Sequence, residues 1–149
     1  MHILKLLIII LYLNIFQTVY AHPLIGEPQN QQWIAIYGYD SVAYHTDNKA
    51  VKGSETFSYE YLDSTWLFAS KVNLELFSQS PERYAPQFNG HCANGLSDAH
   101  KVNGDPEIFK IIDDKLYFFY SKWGRTQWAF NQKEQIELAN HYWELFKND

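Results

Sequence analysis

The chain has 149 residues, with 12 basic and 17 acidic side chains and a formal net charge of −5 at pH 7. Its lysines and arginines form no cluster, so no nucleic-acid partner is expected and an anionic membrane surface is a poor partner. Five Trp, eleven Tyr and ten Phe residues are predicted to fill a small core and its rim, because aromatic side chains bury large areas.

The N-terminus has the pattern of a secretory signal. Residues 6–16 are apolar apart from one asparagine, and Val19 and Ala21 follow at the positions that signal peptidase recognises. A run of eleven residues at about 1.5 Å each is too short for a hydrocarbon core of about 30 Å. The pattern predicts a signal peptide over residues 1–21, cleaved between Ala21 and His22. The protein would then be secreted or periplasmic and soluble, with no stable membrane span; the alternative is an uncleaved N-terminal anchor.

Cleavage would leave 128 of the 149 residues, a suitable length for one domain with its own core. Only Lys5 would be lost among the charged residues, so the net charge would become about −6. His22 would be the first residue, and an N-terminal histidine can chelate copper through its amine and a ring nitrogen. The competing interpretation is a frayed chain end.

The first half of the mature chain contains signals for a hairpin and two helices. Residues 22–36 are predicted to be an extended leader, before a domain over residues 37–149. Phe57, Tyr59 and Tyr61 recur with the period of two that is typical of a half-buried strand, and residues 65–69 are predicted to return as its partner. Ser70 and Pro81 are each predicted to begin a short helix.

The second half is predicted to contain a loop, a hairpin and a helix. Residues 87–104 hold three glycines and three asparagines, which predicts a long irregular segment of the kind that often carries function. A second hairpin is predicted around Asp113 and Asp114. Apolar residues recur at helical spacing near the C-terminus, at positions Ile136, Ala139, Trp143 and Phe146.

These elements predict an α+β fold. We expect a small single domain with two β-hairpins, short helices after the first hairpin and an amphipathic C-terminal helix. No internal repeat or low-complexity tract is expected.

Several segments resemble, in order, the YHS-domain family, and in particular its exported single-domain branch of bacterial envelope proteins. The resemblance covers most of the mature chain, and it is carried by residues 38–44, 52–54, 66–70, 80–88, 90–93 and 102–106. The wider family includes short metal-associated modules, whose ligand cysteines align with Ala43, Ala69 and Asn73. None of these residues is a cysteine, so the resemblance does not carry a thiolate metal site to this chain.

Cys92 is the chain's one cysteine, so no internal disulfide can form in an oxidising compartment. One hypothesis is a Cu or Zn site in which Cys92 is joined by His91, His45 and His100, because imidazole and thiolate suit these metals. A second is a nucleophilic thiol activated by a nearby histidine. The third is a structural thiol packed as a small hydrophobe.

No catalytic residue is predicted, because the chain has no Ser-His-Asp arrangement, phosphate loop or zinc-helix motif. The sequence leaves open whether the chain is an enzyme and favours a non-catalytic role. It predicts an exported YHS-like binding protein, with metal handling as the leading specific function and a metal ion or small molecule as the ligand. The alternative is a structural or small-molecule/protein interaction module with a buried thiol. No protein partner is indicated.

Overall fold

The computed structural model describes residues 22–149, so the predicted signal peptide lies outside the described residues. The α+β prediction is confirmed: a four-stranded sheet of order β1-β2-β4-β3 and a two-stranded sheet β5-β6 are accompanied by short helices and a C-terminal helix. The strands are β1 Gly26–Gln29, β2 Gln32–Ala35, β3 Ser54–Tyr61, β4 Ser64–Phe68, β5 Asp105–Ile112 and β6 Lys115–Phe119. The helices are α1 Ala43–Thr46, α2 Lys71–Gln79, α3 Pro81–Tyr84, α4 Ala93–Ser97, α5 Lys122–Phe130 and α6 Gln132–Phe146.

The leader is extended but also belongs to the first sheet. Strands β1 and β2 pair antiparallel as a hairpin, and β2 then pairs parallel with β4 where Ile34 faces Thr65. The hairpin β1-β2 is therefore a third hairpin, in addition to the two that the sequence predicted. It brings His22 and the residues after it against the rest of the domain, where Ile25 N donates to Asn89 O at 3.0 Å.

The first predicted hairpin and the helix after it are confirmed. Phe57, Tyr59 and Tyr61 are half-buried while the residues between them are exposed, as a period of two requires. Strand β4 is buried along its whole length. Helix α2 begins after Ser70, whose Oγ accepts the Asn73 backbone N–H at 3.1 Å, so this side chain satisfies one of the free donors at the helix start.

The second hairpin and the C-terminal helix are also confirmed, whereas α5 was not predicted. Helix α5 begins after Ser121, whose Oγ accepts the Gly124 N–H at 3.0 Å. In this helix only Gly124 and Trp128 are buried. The other large apolar residues of the helix, Trp123 and Phe130, are exposed, and Gly124 disfavours a helix, so the sequence of α5 shows no clear helical pattern.

The chain contains an internal structural repeat, which corrects the expectation that it has none. The elements β5, β6, α5 and α6 each begin 51 residues after β3, β4, α2 and α3. The first three pairs also match in length, at eight, five and nine residues. We call residues 36–84 the first unit and residues 88–146 the second unit.

Each unit opens with a left-handed turn that ends in a glycine. The φ angles are 42°, 55° and 76° over residues 36–38, and 56°, 50° and 81° over residues 88–90. Equivalent backbone hydrogen bonds then close the following loop in both units: Asp40 N to Val51 O and Cys92 N to Val102 O at 2.8 Å, Gly53 N to Gly38 O at 2.8 Å, and Gly104 N to Gly90 O at 3.0 Å. The two units share backbone geometry and burial but only a few scattered identical residues, so the sequence shows no evident repeat.

Each unit has its own aromatic core. Phe77 lies at the centre of the first, with ring centroids 4.8 Å from Trp66 and 5.0 Å from Phe68. Trp128 is its counterpart in the second and packs in the same way against residues of β6, at 5.3 Å from Tyr117 and 5.2 Å from Phe119. Both central rings are fully buried. Each hairpin is thus covered by the helix that follows it.

Candidate functional site

A buried carboxylate holds the first unit together. Asp40 has no exposed surface. Its Oδ1 accepts the backbone N–H groups of Val42 at 2.9 Å and Ala43 at 3.2 Å, at the start of α1. Its Oδ2 accepts the Ala69 N–H at 2.8 Å and the Asn73 amide at 2.7 Å. Asp40 therefore joins α1 to the junction between β4 and α2, with four hydrogen bonds that offset the cost of burying its charge.

The three positions that align with the ligand cysteines of the short YHS modules all contact Asp40. Ala43 and Ala69 have no side-chain donor atom for a metal, and the Asn73 amide nitrogen is already bound to Asp40. The residues present therefore do not fit a thiolate metal site. In this chain the hydrogen bonds of Asp40 are made at the positions where the short modules have their metal-ligand cysteines.

Cys92 has the corresponding position in the second unit. Its Sγ accepts the N–H of Gly95 at 3.3 Å and that of Tyr120 at 3.1 Å. These donors correspond to Ala43 and Ala69 of the first unit. Residues 87–104, predicted to be irregular, in fact contain α4, for which Cys92 is the N-cap. The thiol acts as the acceptor that joins this short helix to the start of α5.

The surroundings of Cys92 are apolar. The residue is 3% exposed and lies in the core cluster of the second unit. Aromatic side chains form much of that cluster, namely Phe88, Tyr117, Phe119 and Trp128. A sulfur atom that already accepts two N–H groups in an apolar core favours the structural interpretation of the thiol.

His45 lies apart from Cys92, beside the tip of the second hairpin. Its side chain is 5% exposed, and Nδ1 is 3.4 Å from Asp114 Oδ1, within ion-pair range but without hydrogen-bond geometry. Burial lowers the pKa of His45 below its ordinary value; the Asp114 carboxylate opposes this shift, and Arg83 adds to it. The Arg83 guanidinium in turn holds the Asp114 pKa below its usual range.

The four residues of the predicted metal site are not assembled into one group. His100 is exposed after α4, whereas His91 is buried beside Cys92 in sequence. Among residues 22–149, no group of three or more His, Cys, Asp or Glu side chains is placed to hold a metal ion. The site formed by Cys92, His91, His45 and His100 therefore stays a prediction without support from this geometry.

His91 is the one of these residues that lines a cavity. It is 7% exposed, and its Nδ1 lies 2.9 Å from the Phe88 carbonyl oxygen. A carbonyl can only accept, so Nδ1 carries the proton of the neutral ring and Nε2 keeps its lone pair. Burial lowers the His91 pKa; the bond to Phe88 opposes this effect, and Lys101 strengthens it. Near neutral pH His91 is thus a neutral acceptor.

The cavity has a volume of about 360 Å³ and lies between the leader, the loop that carries His91 and the end of α6. The rings of His22 and Trp33 are stacked at 4.6 Å and 11°, and both residues line this space. The other polar side chains that line it are Lys101, Asn103, Lys147, Asn148 and Asp149. A buried imidazole beside aromatic and charged groups is typical of a small-molecule site.

The equivalent place in the first unit is occupied by longer side chains. The isolated bridge between His91 and Asn103 corresponds to the bridge between Tyr39 and Lys52. There, the Lys52 ammonium lies 4.1 Å above the centre of the Tyr39 ring, and the Tyr39 hydroxyl donates to Glu107 at 3.0 Å. In the first unit the long Tyr39 and Lys52 side chains contact each other, whereas the shorter His91 and Asn103 of the second unit border the cavity.

The sequence indicates His91 as a candidate site residue but does not indicate the residues that line the cavity with it. Trp33 and Lys101 are 68 residues apart, and no local pattern connects a leader residue with a loop residue. The sequence indicates His22 as an N-terminal copper chelator or a frayed end, and not as a neighbour of His91 and Trp33. The sequence offers a signal for Asp40, since an aspartate in a turn often accepts the backbone N–H groups two and three residues further on.

Residues 42–88 match the family model of the YHS domain. This range covers 47 of the 149 residues and falls almost entirely within the first unit. No curated protein and no solved structure matches the chain. Within the part of the chain that the structure describes, no helix has the length and apolar character needed to span a membrane.

Proposed function

We propose that this chain is an exported, non-catalytic binding protein whose ligand is a small molecule held in the His91 cavity. One observation carries the proposal: a histidine that is 7% exposed lines this cavity with its Nε2 free to accept. His91 Nε2 is not among the buried atoms that lack a partner, so it is accessible, and a ligand in the cavity can reach it and donate a hydrogen bond to it. The signal-like N-terminus supports the exported location.

The thiol does not take part in this function. Cys92 lies in the neighbouring core with its sulfur accepting two backbone N–H groups, and it is not among the residues that line the His91 cavity. The proposal therefore follows the second of the two functions that the sequence left open, a small-molecule module with a structural thiol.

The test is a fragment screen by NMR that includes neutral, acidic and basic compounds. Binding in the cavity is expected to shift the Trp33 indole N–H and His91 resonances, and His91→Phe should abolish these shifts. The matched control is the exposed His100→Phe, which should leave them intact. The proposal fails if no compound perturbs a cavity residue, or if His91→Phe binds like the unaltered protein.

Metal handling is a second candidate, favoured by one observation. Two imidazoles, those of His22 and His91, line the same cavity, and the YHS match adds weight because that domain is associated with metal handling. After cleavage, the His22 amine and ring would add two nitrogen ligands to the His91 Nε2. His22 Nδ1 would first have to leave the Leu24 N–H, which it accepts at 3.2 Å.

Elemental analysis and calorimetry with Cu²⁺ and Zn²⁺ test this candidate on the chain that begins at His22. Uptake that is lost in His91→Phe and kept in Cys92→Ala would support it. Uptake that instead depends on Cys92 would favour the thiol site predicted from the sequence. Absence of metal binding would eliminate both.

A further inference from the structure

Of the charged side chains that line the cavity, Lys101 is the one placed to bind an anionic group. Lys101 is half-buried, and its Nζ donates to the Phe146 carbonyl at 2.9 Å, at the end of α6. An ammonium has three N–H donors, so two remain for a ligand. Lys147 lies at the rim and is paired with Glu144 at 2.6 Å. The Asp149 side chain, also at the rim, is exposed.

The neutral groups restrict the ligand further. His91 Nε2 can only accept while the ring is neutral, so a ligand group that faces it must donate. Asn103 uses one amide N–H for the Tyr37 hydroxyl at 3.2 Å and keeps its carbonyl oxygen as an acceptor. The stacked rings of His22 and Trp33 offer flat surfaces against which another ring can pack.

We infer that the cavity binds a small cyclic organic acid that also carries a hydrogen-bond donor. Its carboxylate is placed at Lys101, its donor at His91 Nε2, and its ring beside His22 and Trp33. The volume of about 360 Å³ lies within the range of small-molecule clefts. The inference rests on the proposed function and adds the ligand class to it.

Four probes of nearly equal size separate the parts of this inference. 4-Hydroxybenzoate has the acid, the ring and the donor. Its methyl ester lacks the charge, 4-methoxybenzoate lacks the donor, and 4-hydroxybenzylamine reverses the charge. Affinities are measured near neutral pH by NMR titration. The full sequence is expressed, so the purified protein carries the N-terminus that the cell leaves.

The acid is expected to bind about tenfold or more tightly than the ester, because a charge-assisted hydrogen bond is lost with the charge. The methoxy compound should bind several-fold more weakly than the acid, and the amine should not bind. Lys101→Met is expected to remove the preference for the acid, and Lys101→Arg should restore it. The matched control, Lys71→Met on an exposed face of α2, should change nothing.

The outcomes separate this inference from the proposed function. If the ester or the amine binds in the cavity at least as well as the acid, the ligand class is wrong and the cavity remains a binding site. If the acid binds equally well to Lys101→Met, the placement of the carboxylate is wrong. If none of the four probes perturbs His91 while fragments from the broader screen do, the inference is again wrong. If neither the four probes nor any fragment perturbs a cavity residue, the proposed function itself is refuted.

Discussion

The two units of this protein have the same backbone arrangement but use different side chains at an equivalent buried position. In each unit this side chain connects a short helix to the junction between the second strand and the helix that follows. Asp40 does so in the first unit with four hydrogen bonds, and Cys92 does so in the second with two. The carboxylate is the stronger acceptor, because charged hydrogen bonds are about twice as strong as neutral ones.

The units also differ at their surface. In the first, the Lys52 ammonium lies over the Tyr39 ring, and the Tyr39 hydroxyl donates to Glu107 of the second unit. In the second, His91 and Asn103 replace the Tyr39–Lys52 pair, and a cavity remains. Under the proposed function, one copy of the scaffold serves stability and the other serves binding. Four predictions test how far this equivalence extends.

The largest loss of stability is expected when the central ring of either core is replaced. Phe77→Ala and Trp128→Ala should each lower the free energy of unfolding by about 3–5 kcal/mol, because both leave large cavities. Trp128→Phe should cost much less, since the indole N–H has no hydrogen-bond partner. Denaturant unfolding curves measure all three. If only one of the two alanine variants showed a small decrease in the free energy of unfolding, the two cores would not be equivalent.

Substitution of Asp40, the buried acceptor of the first unit, is expected to lower the free energy of unfolding nearly as much. Asp40→Asn keeps the shape but puts an amide N–H₂ where Ala69 and Asn73 donate. It should cost about 3 kcal/mol, because buried donors then lose a charged acceptor. The exposed Asp47→Asn serves as the control in the same unfolding experiment. A loss below about 1 kcal/mol would contradict the role assigned to Asp40.

The counterpart in the second unit should have a smaller effect. Cys92→Ala is expected to cost about 1–3 kcal/mol, because the N–H groups of Gly95 and Tyr120 lose their acceptor. Cys92→Ser should retain part of that stability. Alkylation of the thiol should be slow in the folded protein and fast after unfolding. Rapid alkylation in the folded state would support a reactive thiol instead.

The smallest expected effect is a dependence of folding stability on pH. Burial lowers the pKa values of both His45 and His91 in the folded state, so the unfolded chain takes up protons first as the pH falls. Stability from these residues is complete above the ordinary histidine pKa of about 6.5 and is lost as the pH falls toward the folded values. Unfolding measured from mildly alkaline to mildly acidic pH should show this slope.

The variants His45→Gln and His91→Gln should each reduce that slope, and the double variant should reduce it most. His45 belongs to the first unit and His91 to the second, so the experiment compares the two directly. An unchanged slope in the double variant would show that neither imidazole is held neutral by burial. An increase in stability on acidification would reverse the expected sign.

Local patterns in the sequence were enough for much of the fold. The alternation of Phe57, Tyr59 and Tyr61, the capping Ser70 and the proline that begins α3 depend on neighbours in the chain, and the structure has all of them. The sequence does not predict α5 or α4, because Gly124 and Gly95 disfavour a helix and the apolar Trp123 and Phe130 of α5 are exposed. The pairing of the leader with β4 was missed because it joins segments about 30 residues apart in the sequence.

The sequence by itself determined the α+β class, two of the hairpins, the C-terminal helix and the presence of a single thiol, because each depends on composition or short-range spacing. Only the tertiary structure decided that Cys92 is the counterpart of Asp40, and that His91 rather than Cys92 lines a cavity with Lys101 and Trp33. These relations depend on which distant segments pack together. Their residues share no pattern along the chain, and folding alone brings them into contact.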